Sequence, residues 1–191
     1  MAKGFTKHEK NVIKQKLIDS CMECWNRYGY QKTNVAELCE EAGISTGAFY
    51  QFFDSKELLF VESAQAFSDE LLKDFHEHLQ KEPNKIGFAN GLKEIIHKMQ
   101  TMNWFLKMAD EWPVIVRKLP PEFMEKDYQG DITRYSHLVE KYGLVPKKSL
   151  EEITTILQMV SASLVFKEKF IGNTTDALDF IIDSVVEKLF E

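Results

Sequence analysis

Apolar residues recur every three or four positions along most of the chain, the spacing of amphipathic helices, and the predicted fold is all-α with about nine helices. Thr6 and Glu9 form a capping box, after which Ile13, Leu17, Cys21, Cys24 and Tyr28, with Trp25 beside them, carry a first helix to about Gly29. Thr33 is a favourable N-cap. Val35, Leu38 and Cys39 then share one face, opposite Glu37, Glu40 and Glu41, to about Ala42. Gly43 stands where a left-handed turn is needed, Ile44 plugs that turn into a core, and Ser45 caps a further short helix through Gln51. On that helix Phe49, Phe52 and Phe53 mark the buried side and Thr46, Gly47, Tyr50 and Gln51 the other. Asp54-Ser-Lys-Glu57 reads as a capping box that opens a long helix from Ser55 to about Gln80, striped by Phe60, Ala64, Phe67, Leu71, Phe75 and Leu79.

Glu82-Pro83-Asn84 ends that helix, and Asn84 or a neighbour starts another through Phe88, Leu92, Ile95, Ile96 and Met99. Gly87 and Gly91 weaken it but permit close packing. Pro113 and Pro120-Pro121 then predict short helical pieces, before a helix beginning at Pro121 runs through Tyr135, Leu138 and Val139 to Tyr142-Gly143, with Gly130 allowing a bend. Ser149-Leu-Glu-Glu152 is a third capping box, and Asn173-Thr-Thr-Asp176 caps the last helix. Ile153, Leu157, Val160 and Leu164 on the first of these two helices face Leu178, Ile182, Val185 and Leu189 on the second. This is half of a four-helix bundle, which a second copy of the chain would complete.

Two short helices about a tight turn, followed at once by a third, are the anatomy of a DNA-binding helix-turn-helix. The charge distribution agrees with a polyanionic partner at this end. Residues 1–56 are net +1 within a chain of net −6, and Lys3, Lys7, Lys10, Lys14 and Lys16 stand against Glu9 alone in the first sixteen residues. Gln51 is the candidate for adenine, through its bidentate amide, while Thr33, Ser45, Tyr50 and Lys56 are candidates for phosphate.

From Thr33 to Lys56 the sequence resembles the tetracycline-repressor (TetR) family of bacterial transcription factors. The resemblance rests on a Thr cap, the Gly43-Ile-Ser turn, Phe49-Tyr50 and the Ser55-Lys-Glu-Leu-Leu start, and it covers about Lys10 to Leu59. Ala36 departs from the pattern, standing where the family often carries a basic residue. The resemblance implies a helix-turn-helix domain over residues 1–54 and a ligand-sensing and dimerisation domain over 55–191, the last two helices forming the homodimer interface. It also implies that Thr46, Gly47 and Ala48 approach base edges. The Met- and aromatic-rich stretch holding Trp104, Met108, Trp112, Phe123 and Tyr128 is then either an effector pocket for a small apolar or amphipathic molecule, or simply core. The long helix from Ser55 would serve as a lever between effector and DNA.

Other chemistries find little support. No G-x-S-x-G, H-E-x-x-H, Walker or Rossmann pattern is present, so neither an enzyme nor a cofactor is expected. Cys21-x-x-Cys24 lies within a helix without a second ligand pair, and His76 and His78, two apart, point to different helix faces, so no metal is expected. Three cysteines, all within predicted helices, argue against a disulfide framework. No apolar run reaches the ~20 residues of a membrane span and the N-terminus lacks a signal-peptide core, so a cytoplasmic protein is expected. The combined reading is a DNA-binding transcriptional regulator, a ligand-responsive repressor acting as a dimer on a palindromic operator. Two alternatives are a helical DNA-binding dimer without a ligand and an all-α carrier with a degenerate helix-turn-helix.

Overall fold

The computed structural model describes residues 5–191, and among these the side chains of all but residues 103, 165, 167 and 168. Within them the helices are α1 (Lys7–Tyr28), α2 (Val35–Ala42), α3 (Thr46–Phe49), α4 (Lys56–Lys81), α5 (Lys85–Thr101), α6 (Asn103–Val116), α7 (Glu122–Tyr142), α8 (Leu150–Ala162) and α9 (Thr174–Leu189), with a 3-10 segment over Ser163–Lys169. The chain divides into two compact units. The first takes the N-terminal residues to Asp69 together with Asp110–Leu119, and the second takes Glu70–Ala109 and Pro120–Glu191. Helices α4 and α6 thus contribute to both.

In the first unit Leu17, Cys21, Trp25, Leu38, Phe49, Leu59, Phe60 and Ile115 form the buried centre. Trp25 and Tyr30 both pack on Phe60, with ring centroids 4.5 and 5.1 Å apart. All three cysteines are free and buried, and burial pushes the Cys21 thiol up to about 12, so these are packing groups rather than nucleophiles. Phe52 is only half-buried and packs at a tilt against Phe5, with centroids 5.8 Å apart, instead of joining the centre.

The capping boxes expected at Thr6 and Ser149 are both present, and Asn84 and Asn173 cap α5 and α9. Elsewhere the register shifts by one. Ser55, not Asp54, caps α4, its hydroxyl accepting from Leu58 N–H at 3.2 Å. The short pieces predicted before Pro120 are replaced by one continuous α6 with Pro113 inside it. A proline costs its helix one hydrogen bond and a ring clash, yet the helix continues through it, with Trp104 and Phe105 buried before it and Ile115 after it. Likewise α7 runs unbroken through Gly130.

In the second unit α5 and α9 are antiparallel and joined by Lys85–Glu187, Lys93–Asp183 and His97–Asp179 at 2.8, 2.6 and 2.7 Å. Phe88, on α5, packs edge-on against Phe75 of α4 at 5.0 Å and also meets Phe190 at 4.8 Å. Antiparallel pairing of Pro146 with Phe190 ties down the end of α9, with Lys147 N–H on Leu189 C=O at 2.8 Å.

At Gly91 α4 and α5 approach closely: a Cβ there would lie 2.7 Å from the Phe75 ring. Gly91→Ala should therefore destabilise the second unit by about 1–3 kcal/mol, despite the better helix propensity of alanine. Thermal melting of the two chains checks this; an equal or higher midpoint for the variant would refute the close approach.

Candidate nucleic-acid interface

Three local devices shape α2 and α3. Asn34 Oδ1 accepts from Ala36 N–H at 2.9 Å and caps α2. Gly43 adopts φ 75°, ψ 30°, the left-handed region, so that its N–H reaches Glu40 C=O and Ile44 N–H returns to Cys39 C=O at 2.9 Å. Ser45 Oγ accepts from Ala48 N–H at 3.3 Å and starts α3. A single α-helical turn follows, continued by the tight bonds Gln51 N–H to Ala48 C=O and Phe52 N–H to Phe49 C=O. Phe49 is fully buried and pins this turn to the core. Ser45, Thr46, Gly47, Tyr50 and Gln51 are exposed, with Ala48 half-buried behind them. A Cβ at Gly47 would meet nothing within 4 Å, so the chain's own packing does not demand glycine there. The structure therefore exposes five of the eight predicted contact residues on one short turn, with Ala48 behind them, about the size that enters a major groove.

Thr33 and Lys56 lie elsewhere. Thr33 is 3% exposed, and its hydroxyl donates to Gly29 C=O at 2.8 Å, so it closes the α1–α2 corner while its neighbour Asn34 takes the capping role assigned to it. Lys56 turns inward. Its ammonium donates to Tyr30 C=O at 2.6 Å and lies 4.4 Å from the Tyr30 ring centroid, and burial lowers its pKa. Among the predicted basic arm, Lys7, Lys10 and Lys16 are exposed, Lys14 pairs with Glu62, and Lys3 lies outside the described residues.

Around Tyr30 the structure assembles a polar cluster with no signal in the sequence, because two of its members come from the far segment Asp110–Leu119. Tyr30 donates its hydroxyl proton to Glu57 and accepts from Lys118 Nζ at 2.7 Å. Glu111 Oε2 accepts from both Trp25 Nε1–H at 2.6 Å and Tyr30 N–H at 2.8 Å. Burial alone would raise the Glu57 carboxyl, but the hydrogen bond from Tyr30, the backbone bond and the Lys118 charge outweigh it and hold its pKa below the ordinary value.

The residues proposed for effector and dimer are distributed differently from the expectation. Trp104 is buried and Met108, Phe123 and Tyr128 are half-buried in the second unit, whereas Trp112 belongs to the first. Tyr128 spends its hydroxyl on α8, at Glu151 C=O and Thr155. Ile153, Leu157, Val160, Leu164, Leu178, Ile182 and Leu189 are all buried within the chain itself, and only Val185 is partly open. Among the described residues, the large apolar side chains left in solvent on and between α8 and α9 are Met159, Phe166, Phe170, Ile171, Phe180 and Ile181. A helical stripe identifies the face with most apolar neighbours, which is the chain's own core.

A three-helix unit carrying a capped polar turn on a left-handed glycine corner defines a helix-turn-helix protein. Residues 17–62 match the model of bacterial regulatory proteins of the tetR family. Over 147 residues the chain is 22% identical to the HTH-type transcriptional regulator YfiR of Bacillus subtilis, covering 74% of this chain and 70% of that one. It is 23% identical to the HTH-type transcriptional repressor AcnR of Corynebacterium diphtheriae, over 95% of this chain and 93% of the repressor. The fold is also that of RolR in complex with resorcinol, with a TM-score of 0.67 at 16% identity, covering 94% and 90% of the two chains. Residues 17–62 are thus similar to the tetR-family helix-turn-helix, and the relatives matched over most of the chain are transcriptional regulators. No helix among the described residues is long and apolar enough to cross a membrane.

Two outcomes test this geometry. Asn34→Ala should cost about 1 kcal/mol through loss of the α2 cap, whereas equal melting of parent and variant would return the cap to Thr33. With a folded-state pKa below its unfolded value, Glu57 stabilises the first unit above the ordinary carboxylate range, and that contribution is lost as pH falls through the lowered value. Acid unfolding of Glu57→Gln should therefore be less pH-dependent than that of the parent below about pH 4.5.

Proposed function

We propose that the protein is a ligand-responsive repressor that binds a near-palindromic operator as a homodimer. The observation that carries this reading is the polar face Ser45–Gln51, exposed on a turn whose backbone is fully capped. Gln51 presents a bidentate amide suited to adenine, Thr46, Gly47 and Ala48 offer a surface small enough for close approach to base edges, and Ser45 and Tyr50 flank them as phosphate contacts. Thr33 and Lys56 act by holding this face rather than by touching DNA. So short a reading helix makes few contacts, and a second copy about one helical turn of DNA away, ~34 Å, supplies the rest. Work at chromosomal DNA places the protein in the cytoplasm.

Dimerisation is assigned to the exposed apolar residues of α8, α9 and the segment between them, because water-exposed Met159, Phe180 and Ile181 lie on the two helices whose other faces are already filled. A small apolar or amphipathic effector is supported by the Met- and aromatic-rich composition of α6 and α7, and RolR, with its resorcinol, is a precedent for a small aromatic one.

Selection from random duplexes, followed by footprinting, should return an inverted repeat, and Gln51→Ala should alter the preferred bases within it; an unaltered preference would remove Gln51 from the reading face. Phe180→Asp should shift the sedimenting species from dimer to monomer with helical content unchanged, since the residue is 73% exposed in the single chain. Persistence of the dimer would move the interface elsewhere. For an effector, reciprocity requires that operator DNA change its affinity by the same factor as it changes the affinity for DNA. Titration of a screened ligand with and without operator checks this, and equal affinities would leave the ligand without a regulatory role.

A further inference from the structure

We propose that Glu111 is a positioning residue for DNA binding: its carboxylate moulds the corner between α1 and α2, and through that corner sets α2 and α3 on α1. The proposal rests on the DNA-reading role of the Ser45–Gln51 face, yet it concerns a residue that lies far along the chain from the helix-turn-helix.

The corner runs from Gly29 to Asn34. Gly29 adopts φ 81°, a conformation side chains rarely take, and a Cβ there would lie 2.6 Å from Glu111 Oε1. The two requirements coincide, so the glycine both turns the chain and makes room for the carboxylate. The other carboxylate oxygen takes two donors from buried residues, the indole N–H of Trp25 and the main-chain N–H of Tyr30. Without an acceptor, both would be orphaned away from water. Every polar group of Tyr30 is then engaged: its N–H by Glu111, its carbonyl by Lys56, and its hydroxyl by Glu57 and Lys118. From here the bonds continue towards DNA. Gly29 C=O receives both the N–H and the hydroxyl of Thr33, at 3.1 and 2.8 Å, and Thr33 is followed directly by Asn34, which caps α2. The direction in which α2 leaves the corner is therefore fixed from Glu111, and α3 follows α2 through the Gly43 turn.

The test uses the full chain and the duplex that the parent protein selects from a random library. Glu111→Ala should bind that duplex about tenfold more weakly, the scale of losing charge-assisted hydrogen bonds, with the same base preference and the same salt dependence, because no DNA contact is removed. Glu111→Gln keeps an oxygen that can take both donors and should recover part of the affinity. Trp25→Phe removes the indole donor, and combined with Glu111→Ala it should add little to the loss from Glu111→Ala alone. Helical content and melting are recorded for each variant; should Glu111→Ala fail to fold, the Gln and Trp25→Phe variants carry the comparison. A folded Glu111→Ala or Glu111→Gln protein binding within about twofold of the parent, or one with altered base preference or salt slope, would overturn the proposal. Failure of the parent to select any duplex would overturn the DNA-reading role itself, a distinct result obtained before any variant is compared.

Discussion

The reversal between α2 and α3 at Gly43 is the constraint on which the first unit depends. Helices of eight and four residues are far too short to persist by themselves, since the nucleation cost of each is never recovered by its few internal bonds. They persist because Leu38, Cys39, Ala42 and Phe49 are buried together, and this burial is possible only if the chain doubles back within Gly43–Ser45. A left-handed glycine permits the reversal, and the caps on either side satisfy the amide groups it would leave bare. The polar face beyond Phe49 is the remainder of that packing: what is not needed inside is turned outward.

Next to this apolar packing sits an unusual concentration of charge. Lys56, Glu57, Glu111 and Lys118 converge on Tyr30, itself 3% exposed. Lys56, Glu57 and Glu111 are half-buried and Lys118 is exposed, and partly desolvated charges of this kind seldom add much net stability, because desolvation offsets attraction, but they tolerate few alternative arrangements. Their effect is to define one conformation of the α1–α2 corner among several that the apolar contacts alone would allow.

Much of the fold was legible from local chemistry. Helix caps at Thr6, Ser45, Asn84, Ser149 and Asn173 and the left-handed glycines at 43 and 143 are short-range signals, and each is present in the structure. Where two good caps are neighbours, as at Thr33-Asn34 and Asp54-Ser55, propensity cannot choose, and the wider packing chose the second of each pair. The polar face was legible because Phe49 and the turn fix its phase. The inward turn of Lys56 was not, since a lysine in a first helical turn reads as a phosphate ligand until a carbonyl is found beneath it. Glu111 lies more than eighty residues from its partners and leaves no pattern along the chain. Periodicity also cannot separate an intramolecular stripe from an intermolecular one: of the set from Ile153 to Leu189 all but Val185 are buried within the single chain, while Met159 and Phe180 are exposed.

The ion pairs between α5 and α9 have a consequence for how the last helix is indexed. Asp179, Asp183 and Glu187 repeat every four residues, about one helical turn, and Lys93 and His97 share that repeat. A row of acceptor carboxylates facing a row of nitrogen donors at the same repeat can slide by one turn and still find partners, so the ladder holds the helices together without choosing their register. The choice falls to features that do not repeat: the single Phe190 ring against Phe88, and the backbone pairing of 145–147 with 189–191. The end of α9 behaves as an index pin, and the exposed Phe180 and Ile181 are presented at one height only.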